Sequence, residues 1–274
     1  MEGLNFWDLV PEEIRAKTMA RPDPARWLLE AKVRTYNETP GAEDGSGIDC
    51  PVCRNKSFVA YIPEGEDRLV TRYCDCRSRR ITALRLKQCG MLDRARSCTL
   101  ERFRTDNPVQ KRLKQLTEQW LREGNGCWLL ICGQSGAGKT HLCTAAFVRM
   151  VADRGLEGAY MLWRPELRQL QSGLYREQAE QRLEQFKRAP LLYIDDLFKC
   201  GGGEPIPDRE LRLAFEVLDH RYSNSLVTIL SMERSFQSLM DLDQAIAGRI
   251  RERCGPYMLN ITPGQGKNYR LKED

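Results

Sequence analysis

Gly133-Gln134-Ser135-Gly136-Ala137-Gly138-Lys139-Thr140 fills every fixed position of the pattern G-x-x-x-x-G-K-[ST]. Before it runs the apolar Cys127-Trp-Leu-Leu-Ile-Cys132, the length of a strand, and after it a helical pattern covers 139–153. Strand, glycine loop and helix in that order build a phosphate cradle. The glycines let the backbone curl so that N–H groups from Gln134 to Gly138 face phosphate oxygens, and the helix adds its positive end. Lys139 is placed to reach the β- and γ-phosphates, and the Thr140 hydroxyl to hold Mg²⁺. His141 belongs to the same segment and, like His220, has no neighbour that points to catalysis.

Such a site needs an acid at the end of a second buried strand. Leu191-Leu-Tyr-Ile-Asp195-Asp196 supplies it, 56 residues beyond Lys139. Asp195 would hold Mg²⁺ through water, and Asp196 would orient and polarise the water that attacks the γ-phosphate. Further strands are expected at 158–163 and 226–231, between helices near 107–123, 208–222 and 234–253 and a highly charged helical stretch over 164–188. Apolar strands alternating with helices predict an α/β fold, a parallel sheet covered by helices on both sides. ATP, ADP and Mg²⁺ are the implied ligands.

The rest of the chain has another character. Residues 1–49 read as short helices and a turn-rich linker: Asp23-Pro24 caps a helix bearing Trp27, Leu28 and Val33, and an earlier cluster, Phe6 to Ile14, brackets Pro11. Within 50–76, Cys50-x-x-Cys53 and Cys74-x-Cys76 flank an alternating strand, Phe58–Ile62. Two tight thiolate pairs suit a tetrahedral Zn²⁺, and a module this short needs the metal to fold. The remaining cysteines (89, 98, 127, 132, 143, 200 and 254) lack paired spacing and read as small interior residues.

Composition limits the alternatives. The chain has 274 residues, 41% hydrophobic and 30% charged, with a mean hydropathy of −0.54. No apolar run approaches the roughly 20 residues of a membrane span. The acidic start lacks the basic and apolar regions of a signal peptide, so a reducing cytoplasm is expected and disulfides are not. The net charge of +5 conceals a local excess: between Arg77 and Lys114, twelve Lys and Arg face three acids, a net +9. That segment is a candidate contact for nucleic acid, or a solvated helix face. The sequence divides into 1–49, the cysteine module 50–76, a basic connector 77–103 and an ATPase domain 104–274.

With these motifs in order, the chain resembles the DnaC/DnaI type of bacterial and phage helicase loader, within the AAA+ ATPases. The resemblance rests on Gly138-Lys-Thr-His-Leu142, Ile194-Asp-Asp196, Ala247-Gly-Arg-Ile-Arg-Glu-Arg253 and Asn268-Tyr-Arg270, with the cysteine module ahead of them. It implies a three-layer AAA+ fold and a trans-acting arginine finger at Arg253, with Arg249 and Arg251 as neighbouring candidates, and a sensor arginine at Arg270. It also implies a hexameric DnaB-type helicase and single-stranded DNA as partners, with ATP-dependent self-assembly. Where the family places a sensor Asn, the predicted strand ends at Ser231, which predicts slow hydrolysis. An IstB-type transposition helper, or a nucleotide-gated adaptor with little turnover, are the competing readings. The 164–188 segment, with Arg164, Arg168, Arg176, Arg182, Lys187 and Arg188 among its acids, is a weaker DNA candidate.

Overall fold

Alternate residues of the buried strands face opposite layers, and this builds the larger part of the molecule. The computed structural model describes residues 11–171, 176–199 and 205–262. The chain divides into two compact units, residues 1–84 and 85–274.

In the first unit, α1 (Glu12–Met19) follows Pro11, and α2 (Pro24–Glu38) starts where Asp23 accepts the Arg26 amide. Phe6, Trp7, Leu9 and Val10 lie outside the described residues. An antiparallel hairpin follows, β1 (Phe58–Tyr61) and β2 (Val70–Tyr73), with Phe58 opposite Tyr73. The second strand escaped the sequence reading because Val-Thr-Arg-Tyr has almost no apolar alternation. Helix α3 (Cys76–Gln88) leads out of the unit. The turn-rich stretch before the cysteines proves to be a built loop, with Ser46 2% exposed.

The second unit begins with α4 (Leu92–Ser97) and α5 (Pro108–Glu123), whose first turn is capped by Asn107. Then come β3 (Leu129–Gly133), α6 (Lys139–Arg154), β4 (Gly158–Leu162), α7 (Trp163–Gln171) and α8 (Arg176–Arg188). The chain continues through β5 (Leu191–Asp195), α9 (Asp208–Ser223), β6 (Val227–Met232), α10 (Phe236–Leu242), α11 (Gln244–Cys254) and β7 (Met258–Ile261). The five strands are parallel in the order β4-β5-β6-β3-β7. Leu129, Ile131, Leu191, Tyr193 and Ile229 pack with α5 and α6 on one face. Trp128, Leu130, Cys132, Leu192, Ile194 and Leu230 pack with α7 to α11 on the other. Period-two alternation on a doubly covered sheet gives the expected α/β/α layers.

Residues of the basic connector belong to this core, with Leu86, Met91, Leu100 and Phe103 buried against α6 and the sheet. Strand β7 was not foreseen, since Met-Leu-Asn-Ile is too short and mixed to stand out. It explains one glycine: a Cβ on Gly133, at φ +102°, would fall 2.0 Å from the Ile261 carbonyl oxygen.

Candidate functional site

Parallel strands carry their loops to one end of the sheet, and the predicted nucleotide residues meet there. Gly138, at φ +92°, opens α6, and a Cβ there would strike the Phe103 ring at 2.5 Å. Lys139 is 5% exposed and donates to the Gly133 and Gln134 carbonyls at 2.9 and 2.8 Å. Burial pulls its ammonium below the usual lysine value, against the opposing pull of Glu233 and Asp196.

Asp195, 1% exposed, is the most heavily bonded group in this region. Its Oδ1 accepts from Ser231 Oγ at 2.6 Å, Tyr193 OH at 2.7 Å and Thr140 Oγ1 at 3.1 Å. Its Oδ2 accepts from Tyr160 OH at 3.0 Å and Arg94 Nη1 at 3.1 Å. Thr140 and Asp195 thus converge as hard oxygen donors, which fits Mg²⁺ held by a hydroxyl and, through water, a carboxylate. Asp196 follows with a left-handed backbone, φ 59°, and pairs with Lys199 at 2.8 Å.

Two sequence expectations shift here. Ser231 is fully buried within β6, where it bonds Asp195 and accepts the Asp196 amide at 3.0 Å. Because β6 runs to Met232, the residue that emerges beside the phosphate loop is Glu233. It accepts from Ser135 Oγ at 2.9 Å and pairs with Lys199 at 3.2 Å. Together with Gly136, Gly138, Lys139, Thr140, His141 and Asp196, it lines a cavity of about 210 Å³. Lys199 therefore bridges two carboxylates; burial lowers its pKa, but hydrogen bonds to Asp196 and Glu233 prevail and leave it raised. A second cavity, of about 360 Å³, opens beside Gly136 and Gly138 and is bordered by Phe103, Arg104, Gln110 and His141. His141 Nε2 donates to the Thr99 carbonyl at 2.7 Å and its ring meets Phe103 edge-on. The Phe103 and His141 rings next to a phosphate loop offer a stacking surface suited to a purine base, and of the two only His141 was among the nucleotide residues expected from the sequence.

The arginines of α11 lie elsewhere. Arg253 donates to the Gly126 carbonyl at 3.0 Å, and its own carbonyl accepts from Trp128 N, at the start of β3. That is the end of the strand opposite the phosphate loop, roughly 16 Å away along the strand, out of reach of a phosphate held in that loop. Arg249 pairs with Asp219 at 2.7 Å over the Phe215 ring, and Arg251 is exposed. Arg270 lies outside the described residues, as do Cys200 and the glycines 201–203. In the 164–188 segment, Arg182 pairs with Glu166, and Lys187 and Arg188 with Glu184. The Arg182 pair ties α8 to α7, and Lys187, paired also with Glu216 at 3.2 Å, ties it to α9.

In the first unit, Cys50, Cys53, Cys74 and Cys76 are all buried, with their Sγ atoms within 4.8 Å of one another. Cys50 and Cys74 stand 3.8 Å apart and Cys53 and Cys76 3.4 Å. A zinc with sulfur ligands at about 2.3 Å sets sulfurs about 3.8 Å apart, so the four thiols fit a tetrahedral ion. Backbone N–H groups, chiefly that of Cys53, pull the Cys50 thiol down to about 7, while burial pushes Cys76 up to about 12. Arg80, 2% exposed, ties the surrounding loop together: it donates to Asp44 at 2.8 Å, Ser46 at 3.3 Å, the Ile48 carbonyl and Asn55. The sequence counted Arg80 among surface charges. Of the other described cysteines, Cys132, Cys143 and Cys254 are buried, and Cys89, Cys98 and Cys127 half-buried.

Comparison with known proteins places this geometry. The family described as IstB-like ATP binding protein matches residues 66–274. The chain belongs to that family. This IstB-like protein is 28% identical over 243 residues to the phage-like element PBSX protein XkdC of Bacillus subtilis strain 168, covering 85% of this chain and 89% of the relative. It is 30% identical over 149 residues to the insertion sequence IS21 ATP-binding protein of Pseudomonas aeruginosa, over 53% of each. Its fold is that of the DnaC helicase loader, with a TM-score of 0.52 at 22% identity, over 62% of this chain and 97% of the other. The IstB-like protein is thus an ATP-binding protein with an AAA+ P-loop fold. Among its described residues no helix is long and apolar enough to cross a membrane.

Proposed function

We propose that this chain is an ATPase that loads a hexameric DnaB-type replicative helicase onto single-stranded DNA, with Mg²⁺ and ATP as the switch. One observation carries the reading. A nucleotide site in a DnaC-like fold shares its chain with a separate cysteine-bearing unit, and the exposed large apolar side chains of the described residues all lie on that unit: Ile14, Met19, Val52, Tyr61, Tyr73 and Ile81. Exposed apolar side chains gathered on one small unit support reading it as the part that would meet a protein partner. Zinc bound by the four cysteines would hold that unit in shape.

At the nucleotide site, the 134–138 amides and Lys139 would hold the β- and γ-phosphates. Thr140 and, through water, Asp195 would hold Mg²⁺, which would offset the charge developing on the phosphoryl group. Asp196 would accept a proton from the attacking water while the water oxygen bonds the γ-phosphorus and the β–γ bridging bond breaks, leaving ADP and phosphate. Arg253 of a neighbouring copy would stabilise the transferred group, coupling turnover to self-assembly, and Arg270 would act from the same chain. Glu233, rather than Ser231, stands where the family's sensor would.

The test is size-exclusion chromatography with light scattering, mixing the full chain with replicative helicases, with and without ATP and single-stranded DNA. An ATP-dependent complex is expected, lost in Lys139→Ala and retained but not released in Asp196→Asn. No complex in any condition overturns the reading. The family match also supports a transposition-helper role; ATP-dependent assembly on duplex DNA without helicase binding would establish that one instead.

A further inference from the structure

Asp195 accepts five hydrogen bonds, from Thr140, Tyr193, Ser231, Tyr160 and Arg94. A carboxylate has about four lone-pair sites, so all of them are taken. A water carried by Mg²⁺ can reach this carboxylate only if one donor gives way. Tyr193 and Ser231 are fully buried in the sheet, and Thr140 would itself ligate the ion. Arg94 differs from all of these. It is positively charged, its side chain is 42% exposed, and it reaches in from the six-residue surface helix α4. There it donates to Tyr160 OH at 2.6 Å and lies 5.2 Å from the Tyr160 ring centroid. A divalent ion beside Asp195 would repel the guanidinium directly.

We infer that Arg94 is a Mg²⁺-responsive latch: it holds α4 to the magnesium-binding carboxylate and is displaced when Mg²⁺-nucleotide binds. The inference rests on the reading of Asp195 as the magnesium-side acid. Because such coupling is reciprocal, anything that draws α4 away raises the affinity for Mg²⁺-nucleotide by the same factor. Residues 92–97 follow the first unit in sequence after a gap of seven residues, and the latch ties this segment to the nucleotide state. Tyr160 is a positioning residue here, relaying a hydrogen bond from Arg94 to Asp195.

Two measurements on the full chain test this. In the wild type, hydrogen exchange over 92–97 should rise with AMP-PNP plus Mg²⁺ and stay unchanged with AMP-PNP plus EDTA. In Arg94→Gln, the Mg²⁺ concentration that half-saturates fluorescent-nucleotide binding should fall about two- to fivefold, the worth of a half-exposed ion pair. Tyr160→Phe should shift it the same way by less. An unchanged or higher midpoint in Arg94→Gln, or exchange insensitive to Mg²⁺ in the wild type, overturns the latch. Failure of the wild type to bind nucleotide at all would instead overturn the reading of the site beneath it.

Discussion

The two units are built from different materials. In residues 85–262 the interior is apolar and large: Trp120, Trp128, Trp163, Phe147, Phe186 and Phe198 are all almost wholly buried. In residues 11–84 the buried apolar side chains are only the four cysteines, Ala60 and Ala83, together with the buried polar groups Thr18, Ser46 and Arg80. Area removed from water can stabilise the ATP-binding unit by itself. It stabilises the cysteine unit far less, because larger apolar side chains there, such as Trp27, Leu28, Phe58 and Val59, are only half-buried. That unit depends on its sulfur cluster and on the Arg80 network.

The largest effect should come from the metal. Chelation, or Cys76→Ser, should unfold the hairpin of the first unit, because structural zinc contributes about 10–16 kcal/mol to such modules. Limited proteolysis should then cut within 39–84 while nucleotide binding persists; loss of nucleotide binding would erase the contrast. Next comes the apolar core: Phe186→Ala should cost the second unit about 3–5 kcal/mol, seen as a lowered second thermal transition at unchanged zinc content. Arg80→Met leaves the partners of four donated hydrogen bonds without their donor and should cost about 2 kcal/mol, confined to the first unit and read as faster zinc release to a chelator. The smallest effect concerns pH. Ser46, through its hydroxyl and amide, and Arg80 hold the Asp44 carboxyl well below its usual range. A depressed pKa stabilises the folded state above the unfolded value of about 4 and loses that contribution as pH falls below it. Asp44→Asn should therefore flatten the acid limb of the first transition and leave the second unmoved.

The legible features were the local ones. The phosphate loop, the Asp195-Asp196 strand end and the paired cysteines each lie within a few residues of sequence, and the apolar strands need only period-two packing to show their faces. What stayed hidden required distant partners. Arg94 and Asp195 are 101 residues apart, Arg80 and Asp44 are 36 apart, and both arginines read in sequence as members of a basic run. Glu233 was missed because one more residue of strand moves the emerging side chain past Ser231. Strands β2 and β7 were missed because they hold their places through backbone pairing with a neighbour rather than through apolar content.

If the chain is a loader, its metal-held unit and its apolar ATP-binding unit should act as separable parts. The decisive measurement is capture of a hexameric replicative helicase by ATP-loaded chain before and after zinc is stripped, with nucleotide binding measured in the same samples. Stripping is expected to abolish capture and to leave ATP binding within about twofold, the range within which effects at independent sites add. Undiminished capture by the zinc-free chain would contradict it.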